Sequence, residues 1–315
     1  MGTKTLIIII LSICVLLIIV YFLVGNYFYN ISLNPKTDKD FAIVKSKQTE
    51  EYKKFWEEQL KWLDNNSKDV YITSTNYGNL KLHAYEINAN KNSNIWTIVI
   101  HGYMGKGSGM TAYTRQFVDR GYNVLMVDLR GHGLSEGNYV GMGWHDRLDI
   151  IDWINYLVNK NPDNQIMLFG VSMGAATTMM TTGENLPSNV KLAISDCGYT
   201  SAWDEFGYKL KQLFNLPKFP VLYAANTVSS MKAKYSLQEA SAVEQVKKSK
   251  TPTLFIHGSI DDFVPFEMLD KVYNAASCEK EKLVVEGAGH GLSSTVNPEL
   301  YWETIDRFID KYIKS

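Results

Sequence analysis

Short continuous apolar runs that alternate with helical patterns leave this chain of 315 residues few folds to choose from. The runs cover residues 96–100, 124–127, 166–169, 192–195, 253–256 and 283–285. Between and after them, stretches 111–120, 148–157, 175–181, 268–276 and 301–313 carry apolar residues at helical spacing. A strand that is apolar on both faces has to be covered on both sides, so the alternation predicts an α/β fold with a mostly parallel sheet between helices. Ahead of it, two half-apolar runs at 70–74 and 80–87 flank the turn signal Asn76-Tyr77-Gly78-Asn79 and predict an antiparallel hairpin. Residues 198–250 interrupt the rhythm. They place Trp203, Phe206, Leu210, Leu213, Phe214, Leu222 and Tyr223 at helical spacing, broken by Pro217 and Pro220, and are expected to form a small helical cap over the C-terminal edge of the sheet. One domain over 67–315 is the default, because single-sheet α/β units routinely exceed roughly 200 residues.

The other constraint lies at the N-terminus, where residues 6–24 run for 19 positions without a charge. As a helix this stretch spans roughly 28 Å, the thickness of a hydrocarbon core. A cleaved signal peptide would need a shorter apolar region and small residues at the cut, whereas Tyr21-Phe22-Leu23-Val24 is bulky throughout. Acylation of Cys14 is disfavoured by Ile13, which stands where a small residue should precede it. Residues 1–24 are therefore expected to be a single-pass anchor. Lys4 on one side faces Lys36 and Lys39 on the other, and a very short N-terminal tail favours a signal anchor with the catalytic domain outside the cytoplasm. Residues 25–66 read as a polar stalk leading into a helix marked by Phe55-Trp56, Leu60 and Trp62-Leu63. A chain starting near Ser32 should then keep every candidate catalytic residue and remain soluble and active.

Composition removes several function classes. A formal net charge of -1 offers no attraction to nucleic acid, and no basic cluster is interleaved with aromatic residues. Cys14, Cys197 and Cys278 form no C-x-x-C pair and no metal-ligand spacing, so neither a disulfide framework, a metal site nor a cofactor is expected. The glycines of Tyr103-Met104-Gly105-Lys106-Gly107-Ser108-Gly109 lack the register of a phosphate-binding loop.

Gly170-Val171-Ser172-Met173-Gly174 follows the apolar run 166–169 and opens a helix of small residues. At a strand-to-helix junction the glycines permit the cramped backbone that lifts a serine above a sheet, and the helix N-terminus favours negative charge beside it. A serine hydroxyl needs a base. Of the six histidines, His83, His101, His132, His145, His257 and His290, only His290 lies in a glycine-rich loop directly after the last apolar run, Gly287-Ala288-Gly289-His290-Gly291. The acid that orients it is expected to be Asp261, in the loop after 253–256, with Asp262 beside it and Asp196 at the end of the preceding strand as competitors.

Taken in order, His101-Gly102, the run Asp128-Leu129-Arg130-Gly131-His132-Gly133-Leu134-Ser135-Glu136-Gly137, Gly170 to Gly174, His257 to Pro265 and the final histidine loop resemble the α/β-hydrolase superfamily, particularly its bacterial membrane-anchored members. The resemblance covers about residues 70–315. It implies a Ser172–Asp261–His290 triad, with the backbone N–H groups of Tyr103 and Met173 as oxyanion donors. It implies that the Asp128 to Gly137 run is structural, an Asp–Arg pair bracing loops near the pocket, so that His132 has no catalytic role. The glycine-rich stretch after Tyr103 departs from the family pattern.

The function expected from these residues is hydrolysis of a carboxylic ester, small or lipid-like, through an acyl-enzyme. An aminopeptidase or acyl-peptidase would use the same triad and would need a charged grip on its substrate, for which Glu136, Asp204 and Glu205 are candidates. A membrane-displayed binding module without chemistry is the alternative of a different class. The cap carries no motif that fixes acyl length, and oligomeric state is not legible.

Overall fold

The computed structural model describes residues 2–37, 49–89 and 93–313. Eight strands form one sheet: β1 (Lys68–Thr73), β2 (Lys81–Ile87), β3 (Ile95–Ile100), β4 (Asn123–Val127), β5 (Gln165–Val171), β6 (Val190–Asp196), β7 (Thr253–Gly258) and β8 (Lys280–Val285). Their spatial order is β1-β2-β4-β3-β5-β6-β7-β8. The β1–β2 hairpin and the β2–β4 pair are antiparallel, and every pairing from β4 to β8 is parallel. β4 and β7 are buried along their whole length, which is why they read as unbroken apolar runs. β1, at the edge, is exposed or half-exposed throughout.

Side chains leave the sheet alternately to its two faces, and each face has its own core. Ile98 and Ile100 pack with Ile150 and Trp153 of α4 (Asp146–Lys160) and with Met179 of α5 (Met173–Thr182). Val99 points the other way, towards Phe117 of α3 (Thr111–Asp119) and Tyr301, Ile305 and Phe308 of α10 (Pro298–Tyr312).

The interruption after β6 holds α6 (Ala202–Phe214), α7 (Val221–Lys232) and α8 (Ala242–Val246). Only the first two make the cap. α8 packs on α5 and on α9 (Glu267–Ala275), so the end of the expected 198–250 insertion belongs to the helical layer of the body.

The largest departure from expectation is at the N-terminus. α1 runs without a break over Thr3–Leu33, so residues 25–33 are not stalk. Gly25 is the contact point with α7: a Cβ there would stand 2.5 Å from the Ala224 carbonyl oxygen. Around it Tyr21 Oη and Thr227 Oγ1 lie 3.0 Å apart, and Lys232 Nζ donates to Asn26 Oδ1 at 2.6 Å. Tyr29 and Leu33 are buried, and the Val140 N–H donates to the Leu33 carbonyl at 2.7 Å. Helix continuation here follows from tertiary packing, which overrides the local cost of a glycine and an asparagine. The stalk positions 38–48, with Lys39, lie outside the described residues, and α2 (Glu50–Asn66) forms the expected lead-in helix, packed on α3.

Candidate active site

Ser172 sits between β5 and α5 with φ 59° and ψ -118°, a strained region for a side-chain-bearing residue. The turn closes this tightly because of its glycines. A Cβ on Gly170 would meet the Gly174 carbonyl oxygen at 2.2 Å, and one on Gly174 would meet that of Ile100 at 2.1 Å. The Ser172 N–H donates to the Asp196 carbonyl at 2.8 Å, which ties the turn to β6.

Three sequence-distant side chains meet above this turn. His290 Nε2 lies 2.8 Å from Ser172 Oγ, and His290 Nδ1 lies 2.8 Å from Asp261 Oδ2. The carboxylate accepts only, so it assigns the imidazole proton to Nδ1 and leaves the Nε2 lone pair facing the serine hydroxyl. The other carboxylate oxygen accepts from the Phe263 and Val264 N–H groups, both at 2.9 Å. Burial disfavours the Asp261 charge, but hydrogen bonds from His257 and His290 outweigh it and hold the carboxyl well below the usual carboxylate range. Phe263 stacks on the His290 ring at 4.7 Å and fixes its plane.

The competing acids lie elsewhere. Asp262 is exposed, and its backbone carbonyl takes hydrogen bonds from Tyr208 and Gln212 of α6. Asp196 is fully buried; its Oδ2 accepts from Tyr301 Oη at 2.9 Å, and burial raises its carboxyl to about 6.

Tyr103 and Met173, the two residues expected to offer N–H groups, flank Ser172. Met173 is the first residue of α5, and Tyr103 follows Gly102, where a Cβ would stand 3.3 Å from Ser172 Cβ. The loop is braced from behind. His101 Nε2 accepts from the Leu129 N–H, so its Nδ1 donates to the Gly102 carbonyl at 2.7 Å, and burial keeps the ring neutral. Asp128 accepts from the Gly107 and Leu134 N–H groups and lies 2.7 Å from His83 Nδ1. Arg130 does not pair with Asp128; it grips Asp149 through two hydrogen bonds of 2.7 Å. The Asp–Arg run therefore braces two separate loops, and the glycine-rich stretch after Tyr103 is one of them.

A cavity of about 590 Å³ opens at Ser172 under α6 and α7, mainly apolar, with Tyr199, Phe206, Leu210 and Leu222 among its walls.

Comparison with known proteins agrees with this architecture. A family model described as serine aminopeptidase, S33, matches residues 94–216. The uncharacterized protein YqkD of Bacillus subtilis is 28% identical over 244 residues, 77% of this chain and 79% of its own. The Pyrococcus furiosus esterase Pf2001 superposes with a TM-score of 0.65 at 24% identity, over 81% of this chain and 94% of that one. The chain has the α/β-hydrolase fold. The fold is shared as well with the Pyrococcus horikoshii acylaminoacyl peptidase, at a TM-score of 0.57 and 18% identity, over 79% of this chain and 42% of that one.

The sequence had not pointed to several residues of the pocket. Phe28, Ile31 and Ser32 of α1 line the cavity, and the Tyr103 hydroxyl donates to the Ser32 carbonyl. A chain beginning near Ser32 would lack part of that wall, contrary to the expectation above. The signal was present in the absence of charge as far as Lys36. Cys197 is also close, its Sγ within 4.8 Å of donor atoms of Asp261 and His290. Both imidazole nitrogens are already engaged, and burial pushes the thiol well up, so these donors are committed to hydrogen bonding rather than to an ion.

Of the candidate grips for a charged substrate, Glu136 takes the Lys81 N–H on the surface, and Asp204 bonds Thr200 and Lys218. Glu205 is different. It lines the cavity at 4% exposure, and among the described residues neither carboxyl oxygen has a hydrogen-bond partner. Burial pushes its carboxyl well above the usual range, with the Lys209 ammonium pulling the other way.

Proposed function

We propose that the protein is a membrane-anchored serine hydrolase that cleaves a carboxylic ester through an acyl-enzyme. The observation that carries this reading is the continuous hydrogen-bond chain from Asp261 through His290 to Ser172, ending at an apolar cavity. Ser172 Oγ attacks the ester carbonyl carbon as His290 Nε2 takes its proton, and Asp261 stabilises the resulting imidazolium. The backbone N–H groups of Tyr103 and Met173 hold the oxyanion, each such donor being worth about 3–4 kcal/mol in the transition state. The tetrahedral intermediate collapses, the C–O bond to the alcohol breaks, and His290 protonates the departing oxygen. Water then attacks the acyl-Ser172 carbonyl with His290 as base, which releases the acid and restores the serine. No cofactor enters any of these steps.

α1 supports the anchor reading: it is long and apolar enough to cross a membrane and continues into packing with the cap, where a cleaved signal would leave a gap.

The test is a panel of nitrophenyl esters set beside aminoacyl anilides, with fluorophosphonate labelling of wild type and Ser172→Ala. Labelling that is lost in Ser172→Ala, with ester turnover, is expected. Absence of labelling in the folded protein would overturn the reading in favour of a binding module.

Glu205 favours a second reading, an aminopeptidase or acyl-peptidase, because a buried carboxyl without a partner is suited to a substrate ammonium or hydroxyl. If anilides are cleaved much faster than esters and Glu205→Gln removes that preference, this reading replaces the first.

A further inference from the structure

The cavity wall and the anchor are one helix, and that sets where the cavity opens. Residues 6–24 carry no charge, and most of their large apolar side chains are exposed. Along a helix axis Phe28 stands about 6 Å and Ser32 about 12 Å beyond Val24. The headgroup layer on each side of a bilayer is roughly 5–8 Å thick. Phe28 therefore stands within the headgroup layer, and Ile31 and Ser32 stand directly above it.

The cap meets the anchor at the same level. Tyr21, inside the uncharged run, already contacts Thr227 of α7, and Phe28 packs edge-on against Phe214 at the end of α6, with ring centroids 5.4 Å apart. Leu213 and Phe214 belong to the cavity lining and are also exposed, at 44% and 36%, so they form its rim. Phe219 and Tyr223, exposed at 71% and 45%, extend the apolar surface along the cap. An apolar rim beside an apolar helix is costly in water and favourable in the interfacial layer, where aromatic side chains collect.

We propose that this rim is a membrane-level entrance and that the substrate is an ester of a single long-chain acyl group drawn from the lipid layer that α1 spans. The inference rests on the serine-hydrolase reading above and names its substrate class. The acyl chain slides between α1 and the cap past Phe28, Ile31 and Phe214, while the ester stays near the headgroup level and reaches Ser172. A cavity of about 590 Å³ is in the range for one small-molecule ligand. An enzyme acting on short, water-soluble esters has no need of a wall built from its anchor.

The experiment uses the full chain in phosphatidylcholine nanodiscs. Hydrolysis of nitrophenyl butyrate from solution is compared with that of 1-oleoylglycerol placed in the same disc, for wild type, Ile31→Trp and Ile31→Ala, with fluorophosphonate labelling as the check on folding. Wild type is expected to cleave the oleoyl ester with a kcat/KM at least tenfold above that for butyrate. Ile31→Trp, which fills the wall, should lower the oleoyl-to-butyrate ratio at least tenfold, and Ile31→Ala should lower it much less. A butyrate preference in the wild type, or a ratio that Ile31→Trp leaves unchanged, overturns the proposal while the serine-hydrolase reading stands. Loss of both labelling and butyrate hydrolysis in wild type defeats that parent reading and this one with it.

Discussion

Replacing Asp261 with Asn tests the acid assignment, and the local geometry sets how large the effect should be. Two backbone N–H groups, of Phe263 and Val264, point at Oδ1. An asparagine keeps both bonds only by placing its amide oxygen there, which turns its NH₂ group towards His290 Nδ1. Facing a donor, Nδ1 has to become the acceptor, so the ring proton moves to Nε2 and points at Ser172. That tautomer cannot take the hydroxyl proton. By the serine-protease precedent the loss in kcat is about ten-thousand-fold, equivalent to ~5 kcal/mol in the barrier. Because the backbone bonds survive, the unfolding temperature should change by only a few degrees. Turnover of a nitrophenyl ester, fluorophosphonate labelling rate and thermal unfolding together give the readout, with Asp196→Asn as the control. The control should stay within about tenfold of wild type, since Asp196 hydrogen-bonds Tyr301 and not the histidine. Abolished turnover in Asp196→Asn at unchanged thermal stability, with Asp261→Asn still active, would refute the reasoning.

Three further outcomes are expected. A chain starting at Pro35 loses the buried side chains Tyr29 and Leu33 and two hydrogen bonds to the end of α1, a destabilisation of roughly 3–5 kcal/mol; an unchanged unfolding temperature in detergent would show that α1 is only a tether. Burial acts against the Glu86 charge, but Lys160, Tyr156 and Lys68 hold its carboxyl down from 4.5 to about 2. Glu86→Gln should therefore cost at most about 3 kcal/mol at pH 7, a difference fully present above pH ~4.5 and lost as pH falls through about 2; a difference that grows on acidification contradicts this. Glu205→Gln should change ester turnover by less than about tenfold, and a larger loss in kcat would place Glu205 among the groups that act on the ester itself.

How much of this was legible follows from how local each signal is. The inner strands could be read from the sequence because burial on both faces makes them unbroken apolar runs, and the β1–β2 hairpin because half-apolar runs flank the Asn76–Asn79 turn. Ser172, His290 and Asp261 were readable because each stands in a loop directly after a strand, and parallel strands deliver such loops to one edge. The end of α1 was not readable. Gly25-Asn26 is a helix stop by local preference, and only the Ala224 backbone, some two hundred residues away, makes a glycine the residue that lets the helix continue. Glu205 is similar: nothing in Trp203-Asp204-Glu205-Phe206 tells which of two adjacent carboxyls faces water. The partners of Asp128 and Arg130 also come from distant segments, His83 and Asp149, which the motif itself cannot name.

An α1 that passes from the apolar run into the cap without a hinge has a mechanical meaning. A domain on a flexible leash samples a hemisphere and reaches molecules in solution or on an apposed surface. As the proposed anchor, the helix is a mast: the tilt and height of the Ser172 site are set by the same packing that closes Gly25 on Ala224. On the membrane-anchor reading proposed above, the search for substrate becomes two-dimensional, confined to the leaflet beneath the domain, and each molecule works on its own membrane and not on its neighbour's.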